Sequence, residues 1–463
     1  MKANYQTFVK YIICFCSVIL LFTSCKKGWL EEKSDKTLTV PLTLTEFQGL
    51  LDNVIEMNYR GLSLGEVASD GHYITEVYYQ SIDPAQQQAE KDAYIWSKIG
   101  RHLSNNSQWD ANYKKILTDN VILDGLKKIS PGPLEVQQWK DIKGQALLNR
   151  ASVFFNLAQV YAPPFDLTGN NNDLGIVLRT SSDITIPSKR STVKETYEQI
   201  LGDLNEAKNL LPIRPKILTR GSASAVNALM ARVYLSMGDY ANAFIAADNS
   251  LKQYAELLDY NDLSASASFI GRYNKEVIWH TCFVPSFPLS TWFIDADWFG
   301  MYSANDLRRT RFFRTNTNQS ISFKGSYENT SAGSLFTGLA TDEVYLTRAE
   351  CYARDGKVAE ALNDLNILMR KRWDNKVPFV PFVAANAEEA LQLVLTERKK
   401  ELLFRGIRWM DLRRLNKDSR FILTLKRTVV GVTYSLDPNS YKYVFPIPDN
   451  ILEQTGIAQN PGW

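Results

Sequence analysis

ALMARVYLSMGDYANAFIAADNSL, residues 228–251, and LTRAECYARDGKVAEALNDLNILM, residues 346–369, are two copies of one pattern. Ala231 falls on Ala349, Tyr234 on Tyr352, Gly238 on Gly356 and Ala243 on Ala361, each pair 118 residues apart. Apolar residues three or four apart predict a helix on either side of each glycine. The glycine predicts the turn, and the alanines stand where two helices must approach closely. The same period extends outward. Leu147, Ala151, Phe154, Phe155, Ala158 and Tyr161 line one face of a helix over 142–161, stopped by Pro163-Pro164. Tyr197, Ile200, Leu201, Leu204, Ala207 and Leu211 line another over 193–211, with Thr192 and Glu195 spaced as a capping box.

The duplicated helix, glycine turn and helix resemble a tetratricopeptide repeat, here interrupted by an insertion. Between about 264 and 338 the helical period disappears. Ser, Thr, Asn, Gly and aromatic residues predict loops and short strands there. RTVVGVTYSL (427–436) and YKYVFPIP (441–448) predict short strands near the end of the chain. The fold class is therefore mainly α, a tetratricopeptide-like helical scaffold with an irregular loop-rich portion and a few short strands.

The first 24 residues read differently. Lys2 and Lys10 flank the start of an apolar run, YIICFCSVILLF (11–22), that is too short to span a bilayer as a helix. It reads as a signal peptide ending in LFTSC, with small residues just before Cys25. Such a site lets the Cys25 thiol take a diacylglyceryl group, and acyl chains such as palmitate then anchor the protein without a spanning helix. Residues 25–40 read as a flexible tether and 41–463 as a single domain. Of the five cysteines only Cys282 and Cys351 remain as ordinary thiols, either bridged or, as two unrelated buried groups, apart. The chain's net charge of +3 gives no electrostatic footprint for nucleic acid.

Several segments together resemble the SusD/RagB family of outer-membrane nutrient-binding lipoproteins. They are CKKGWLEEKSDKTL (25–38), the set Trp109, Tyr113, Ile116 and Asn120, GQALLNRASVFFNLAQVYAPP (144–164), LGIVLRTSSD (174–183) with STVKETYEQILGDLNEAKNLLP (191–212), ERKKELLFRGIRWMDLRRL (397–415) and the closing VFPIPDNILEQTGIAQNPGW (444–463). Two departures stand out. Arg405 precedes Gly406 where the family often has an acid, and Lys26 and Lys27 follow Cys25 where many relatives have acids. The resemblance implies a lipid-anchored protein of the outer membrane facing the cell exterior. It implies capture of a nutrient oligomer, usually a glycan and sometimes a peptide, and delivery to a SusC-like TonB-dependent transporter. No enzyme activity and no cofactor are implied.

The residues themselves carry no catalytic or metal-binding signature. His72, His102 and His280 are the only histidines, and HExxH and a phosphate loop are both missing. Glu397, Glu401, Arg408 and Asp411 could suggest an active site, but read more simply as a charged helical face with i,i+4 partners, Trp409, Leu412 and Leu415 packing inward. A glycan binder needs flat apolar rings for the C–H faces of sugars, with carboxylates and amides for the hydroxyls. The segment FVPSFPLSTWFIDADWFGMYSANDLRR (283–309) meets that demand. Its candidates for ligand contact are Trp292, Trp298, Phe299, Tyr302, Asp295 and Asp297. A second set lies in GEVASDGHYITEVYYQ (65–80): Asp70 and Tyr73, with Trp96 in the same neighbourhood. Two rival functions are a helical-repeat adaptor that binds only proteins and a hydrolase.

Overall fold

The computed structural model describes residues 41–97, 107–264, 269–285, 287–328 and 333–463. The signal peptide, Cys25, the tether and His102 lie outside them. Among the described residues the main scaffold helices are α1 (Ser107–Leu126), α2 (Val136–Tyr161), α3 (Val193–Lys208), α4 (Ala223–Met237), α5 (Tyr240–Gln253), α7 (Thr341–Arg354), α8 (Val358–Arg370), α9 (Ala387–Glu401) and α10 (Arg408–Leu415), while the short α6 (Ala296–Gly300) lies in the insertion. Helix α1 packs on α2, α2 on α3, α4 on α5, α5 on α7, and α7 on both α8 and α9. The two copies of the repeat are therefore adjacent in space, although the insertion separates them in the chain.

The local chemistry of each hairpin is as the pattern demands. Gly238 and Gly356 both take φ near +77°, at 77° and 76°, a conformation a side chain disfavours. Ala231, Ala243, Ala349 and Ala361 are all buried where the helices meet. The Thr192–Glu195 capping box is formed: Glu195 N–H donates to Thr192 Oγ1 at 3.0 Å and Thr192 N–H to Glu195 Oε2 at 2.7 Å. The carbonyls at the end of α2 are met from a distance. Arg413, which among the described residues has no carboxylate partner, donates to the carbonyls of Gln159 and Ala162, and Asn460 Nδ2 to that of Tyr161 at 3.0 Å. A cation at a helix C-terminus is favourable. Asn460 also holds Phe445 O at 2.7 Å, and Trp463 Nε1 holds Val444 O at 2.7 Å. The closing QNPGW thus stitches the end of the chain to α2.

The strands are short and almost all antiparallel pairs: β1 (Leu174–Val177) with β2 (Arg190–Thr192), β3 (Val277–Trp279) with β9 (Leu339–Ala340), and β4 (Cys282–Phe283) with β8 (Leu335–Phe336). One sheet has three strands, in the order β5 (Phe293–Ile294), β7 (Ile321–Phe323), β6 (Phe313–Thr315). A last hairpin joins β10 (Leu425–Val429) to β11 (Val432–Leu436). Most of them lie in the insertion, and the strands β3 and β9 form its neck. Cys282 and Cys351 are buried and free, not bridged.

The charged helix α9 corrects one expectation. Its face is not solvated, and its main partners are not one turn away. Glu397 and Glu401 both reach Arg308, at 2.5 and 3.0 Å, and Glu401 reaches Arg372 at 2.7 Å. Arg372 continues to Glu276 at 2.7 Å. All five side chains are buried. Burying charge is tolerable only when every charge is paired, and here the pairs run between the insertion and the scaffold. Arg405, the family departure, is used in the same way: it donates to Asp342 Oδ2 at 2.9 Å.

Candidate glycan-binding face

The three-stranded sheet positions the candidate site. Tyr73 extends it by a fourth position, since Tyr73 and Phe293 exchange backbone hydrogen bonds of 2.8 and 2.9 Å. Phe293 lies opposite Ser322, and Ser322 opposite Arg314. Residues directly opposite share a face of a sheet. The row Tyr73, Phe293, Ser322, Arg314 is therefore one face, about 14 Å across at ordinary strand spacing. The other face carries Ile294, Phe313 and Phe323, which pack inward. On this face Tyr73 is 39% exposed and Phe293 half-buried, their rings 5.7 Å apart, Arg314 is exposed, and Ser322 between Phe293 and Arg314 is buried. Asn316 Nδ2 donates to Ser322 Oγ at 2.7 Å and lays an amide beside them.

At the end of β5 the chain turns into α6. Asp295 Oδ1 accepts from Asp297 N–H at 2.8 Å and caps that helix. Both aspartates are exposed. Phe299 is half-buried, with the Arg309 guanidinium 3.9 Å over its ring and Phe313 edge-on at 5.5 Å. Behind this face Asp70 is held by Arg408 through two bonds of 2.6 and 2.8 Å, with Lys399 at 3.7 Å. Burial alone would raise the Asp70 carboxyl. The Arg408 guanidinium and Lys399 outweigh it and hold the group at about 2.

Four candidates prove to be packing residues. Trp292 is 1% exposed and stacks on His72 at 3.9 Å and 8°, so its ring is spent on the core. Tyr302 is buried, its hydroxyl donating to Lys400 O at 2.9 Å. Trp96 is buried, its Nε1 donating to Ala68 O at 2.9 Å. Trp298 is buried with Lys399 Nζ 4.1 Å over its ring. Asp70, at the back of the face, is engaged by Arg408. Tyr73, Asp295, Asp297 and Phe299 remain open to solvent, wholly or in part. Phe293, Asn316 and Arg314 join them. The signal for Phe293 was the alternation of a strand: Trp292 and Ile294 point in, so the residue between them points out.

The comparisons with known proteins agree with this architecture. A family model described as "Starch-binding associating with outer membrane" matches residues 28–235, and the SusD family model matches 341–463. No curated protein sequence matches the chain. Among solved structures, a SusD superfamily protein from Bacteroides vulgatus is 21% identical, with a TM-score of 0.73 over 91% of this chain and 99% of that one. A SusD-like carbohydrate binding protein from the same species is 19% identical, with a TM-score of 0.68 over 89% of this chain and 97% of that one. A laminarin binding SusD-like protein is 18% identical, with a TM-score of 0.64 over 90% and 98%. Two family models in their expected order, on a mainly α scaffold shared over nearly its whole length, lead to one conclusion: the chain belongs to the SusD/RagB family.

Proposed function

We propose that the protein captures a glycan oligomer at the cell surface and passes it to a SusC-like TonB-dependent transporter, without chemistry of its own. The observation that carries this reading is the outer face of the insertion sheet, where Tyr73 and Phe293 stand side by side and part-exposed beside Asp295, Asp297 and the Asn316 amide. Adjacent rings offer area to the C–H faces of successive sugars, and the polar groups orient hydroxyls. The carbohydrate-binding and laminarin-binding relatives support a glycan over a peptide. Lipidation at Cys25 and residence in the outer membrane belong to the same proposal. They are checked by labelling with a fatty-acid probe, which a Cys25→Ser variant should lose.

The binding test is a titration of the detergent-solubilised full chain against a panel of oligosaccharides and peptides. Saturable glycan binding is expected, without cleavage. Phe293→Ala combined with Tyr73→Ala should weaken it by about tenfold to a hundredfold, the worth of two stacking contacts. Unchanged affinity in that double variant would remove the site. Turnover of a bound oligomer would favour a hydrolase.

A further inference from the structure

We infer that the sheet face takes an anionic oligosaccharide, one bearing carboxylate or sulfate groups, and that Arg314 and Lys324 read its charge. This inference rests on the glycan-binding reading and narrows it. The row of side chains that begins with two rings ends in cations. Arg314 is exposed and opposite Ser322. Lys324 continues the ladder, its N–H donating to Phe312 O at 2.7 Å. It follows Ser322 by two residues, so it shares the outer face and is the diagonal neighbour of Arg314, with Cβ atoms about 7–8 Å apart. Arg311 stands beside them. Partial burial, and then Arg311 and Arg314, depress the Lys324 ammonium below its ordinary range.

What matters is how little neutralises them. Arg311 donates to the carbonyls of Ser264 and Leu263, at 2.7 and 2.8 Å, and Arg309 to that of Tyr302 at 2.7 Å. Among the described residues none of Arg309, Arg311, Arg314 and Lys324 has a carboxylate partner. Residues 265–268, 286 and 329–332, the parts of the insertion outside the description, read ASAS, S and NTSA and contain no acid. This contrasts with the fully buried Arg308 and Arg372, which find three and two carboxylates. Of the exposed acids, Asp262 adjoins Leu263 and reaches Lys275 at 3.7 Å, and Asp295 and Asp297 follow the other end of β5. Asp295 is level with Ser320, four residues from Lys324 and so about 13 Å along the strand. The face is thus polarised: carboxylates at one end, rings in the middle, unpaired cations at the other. A neutral glycan would leave the cations without partners. A uronate or sulfate group placed beside a ring-stacked sugar would gain charge-assisted hydrogen bonds from Arg314 and Lys324.

The test titrates the detergent-solubilised full chain with oligogalacturonate, a sulfated glucan oligosaccharide, neutral laminarin oligosaccharides, polyglutamate and anionic phospholipid vesicles. One or both anionic oligosaccharides should bind, more tightly than laminarin, and the affinity should fall as salt rises. R314Q combined with K324Q should weaken that binding by about tenfold or more and leave any laminarin binding unchanged. Equal affinity for laminarin and the anionic sugars, or an unchanged affinity in the double variant, would overturn the inference and leave the glycan-binding reading in place. Binding of polyglutamate or vesicles as tight as that of the anionic sugars would overturn it in favour of a charge-only surface. Binding of no oligosaccharide at all would overturn both.

Discussion

Trp292 and Phe293 are neighbours in the chain and opposites in the fold. Trp292 packs between His72 and Phe404, its centroid 3.9 and 5.4 Å from theirs. Replacing it with alanine should cost about 3–5 kcal/mol of stability in urea denaturation, as for other large buried aromatics. Phe293→Ala should cost less than about 1 kcal/mol, a surface change away from the core. Equal losses would mean that the assignment of inner and outer residues is wrong. Composition puts both rings in the aromatic segment but marks Trp292, the inner one, as the candidate. Only the two-residue period separates them, and a strand of two residues is too short to show a period without its partners. Glu66 makes a second residue-scale case. It is buried, accepts from Gly406 N–H at 3.0 Å and from Ser69, and among the described residues has no cation paired to it, so burial pushes its carboxyl up to about 7. Between the ordinary carboxylate range and that value the folded chain holds a proton that the unfolded chain has released, so stability falls as pH rises through this window. Glu66→Gln keeps an acceptor for Gly406 N–H, turns its amide N–H toward Ser69 Oγ, whose own proton goes to the Glu66 carbonyl, and removes the charge. It should gain about 3 kcal/mol at pH 8 and little at pH 4.5. A gain that does not change with pH would rule out the titration of Glu66 as its source.

At the scale of the element, the repeat hairpins were legible because each level of their chemistry repeats. The apolar period, the small residues at the close approach and the glycine turn all recur. A Cβ at Gly238 or Gly356 would meet nothing within 4 Å, so substitution there costs backbone strain alone. Gly238→Ala and Gly356→Ala should each lose about 1–2 kcal/mol, and by similar amounts, in thermal or urea unfolding. Gly338 provides the contrast: its Cβ would lie 2.1 Å from the Trp279 carbonyl oxygen at the neck of the insertion, so Gly338→Ala should be worse than either. Helix α9 was legible as a helix but not in its role. Charged residues at i and i+4 read as a solvated face on any sequence template. The residues that bury them, Arg308 and Arg372, come from elsewhere in the chain, and no local pattern announces such pairing. Glu401→Gln should cost about 3–5 kcal/mol, because it leaves two buried guanidiniums short of charge.

Over the whole molecule, the insertion had to leave and re-enter the scaffold without parting the two hairpins. Its boundaries were readable from the loss of helical period. Its internal order was not, because strands of two or three residues pair across long separations and only the assembled fold pays that closure entropy. The joint is held by Arg232 on α4, which grips Glu343 on α7 at 2.6 and 2.8 Å and donates to Gly338 O at 2.9 Å where the insertion ends. Both side chains are buried. This one guanidinium therefore ties the first repeat to the second and to the last strands between them. Arg232→Ala should destabilise the chain by about 3–5 kcal/mol, because Glu343 keeps a buried charge with its partner gone. The double change Arg232→Met with Glu343→Leu removes both charges and should recover most of that loss, as replacement of a buried ion pair by apolar groups commonly does. If the pair serves only stability, the double variant also keeps its glycan affinity. Restored stability with lost affinity would instead show that the register of the insertion on the repeats, and with it the sheet face, depends on this joint.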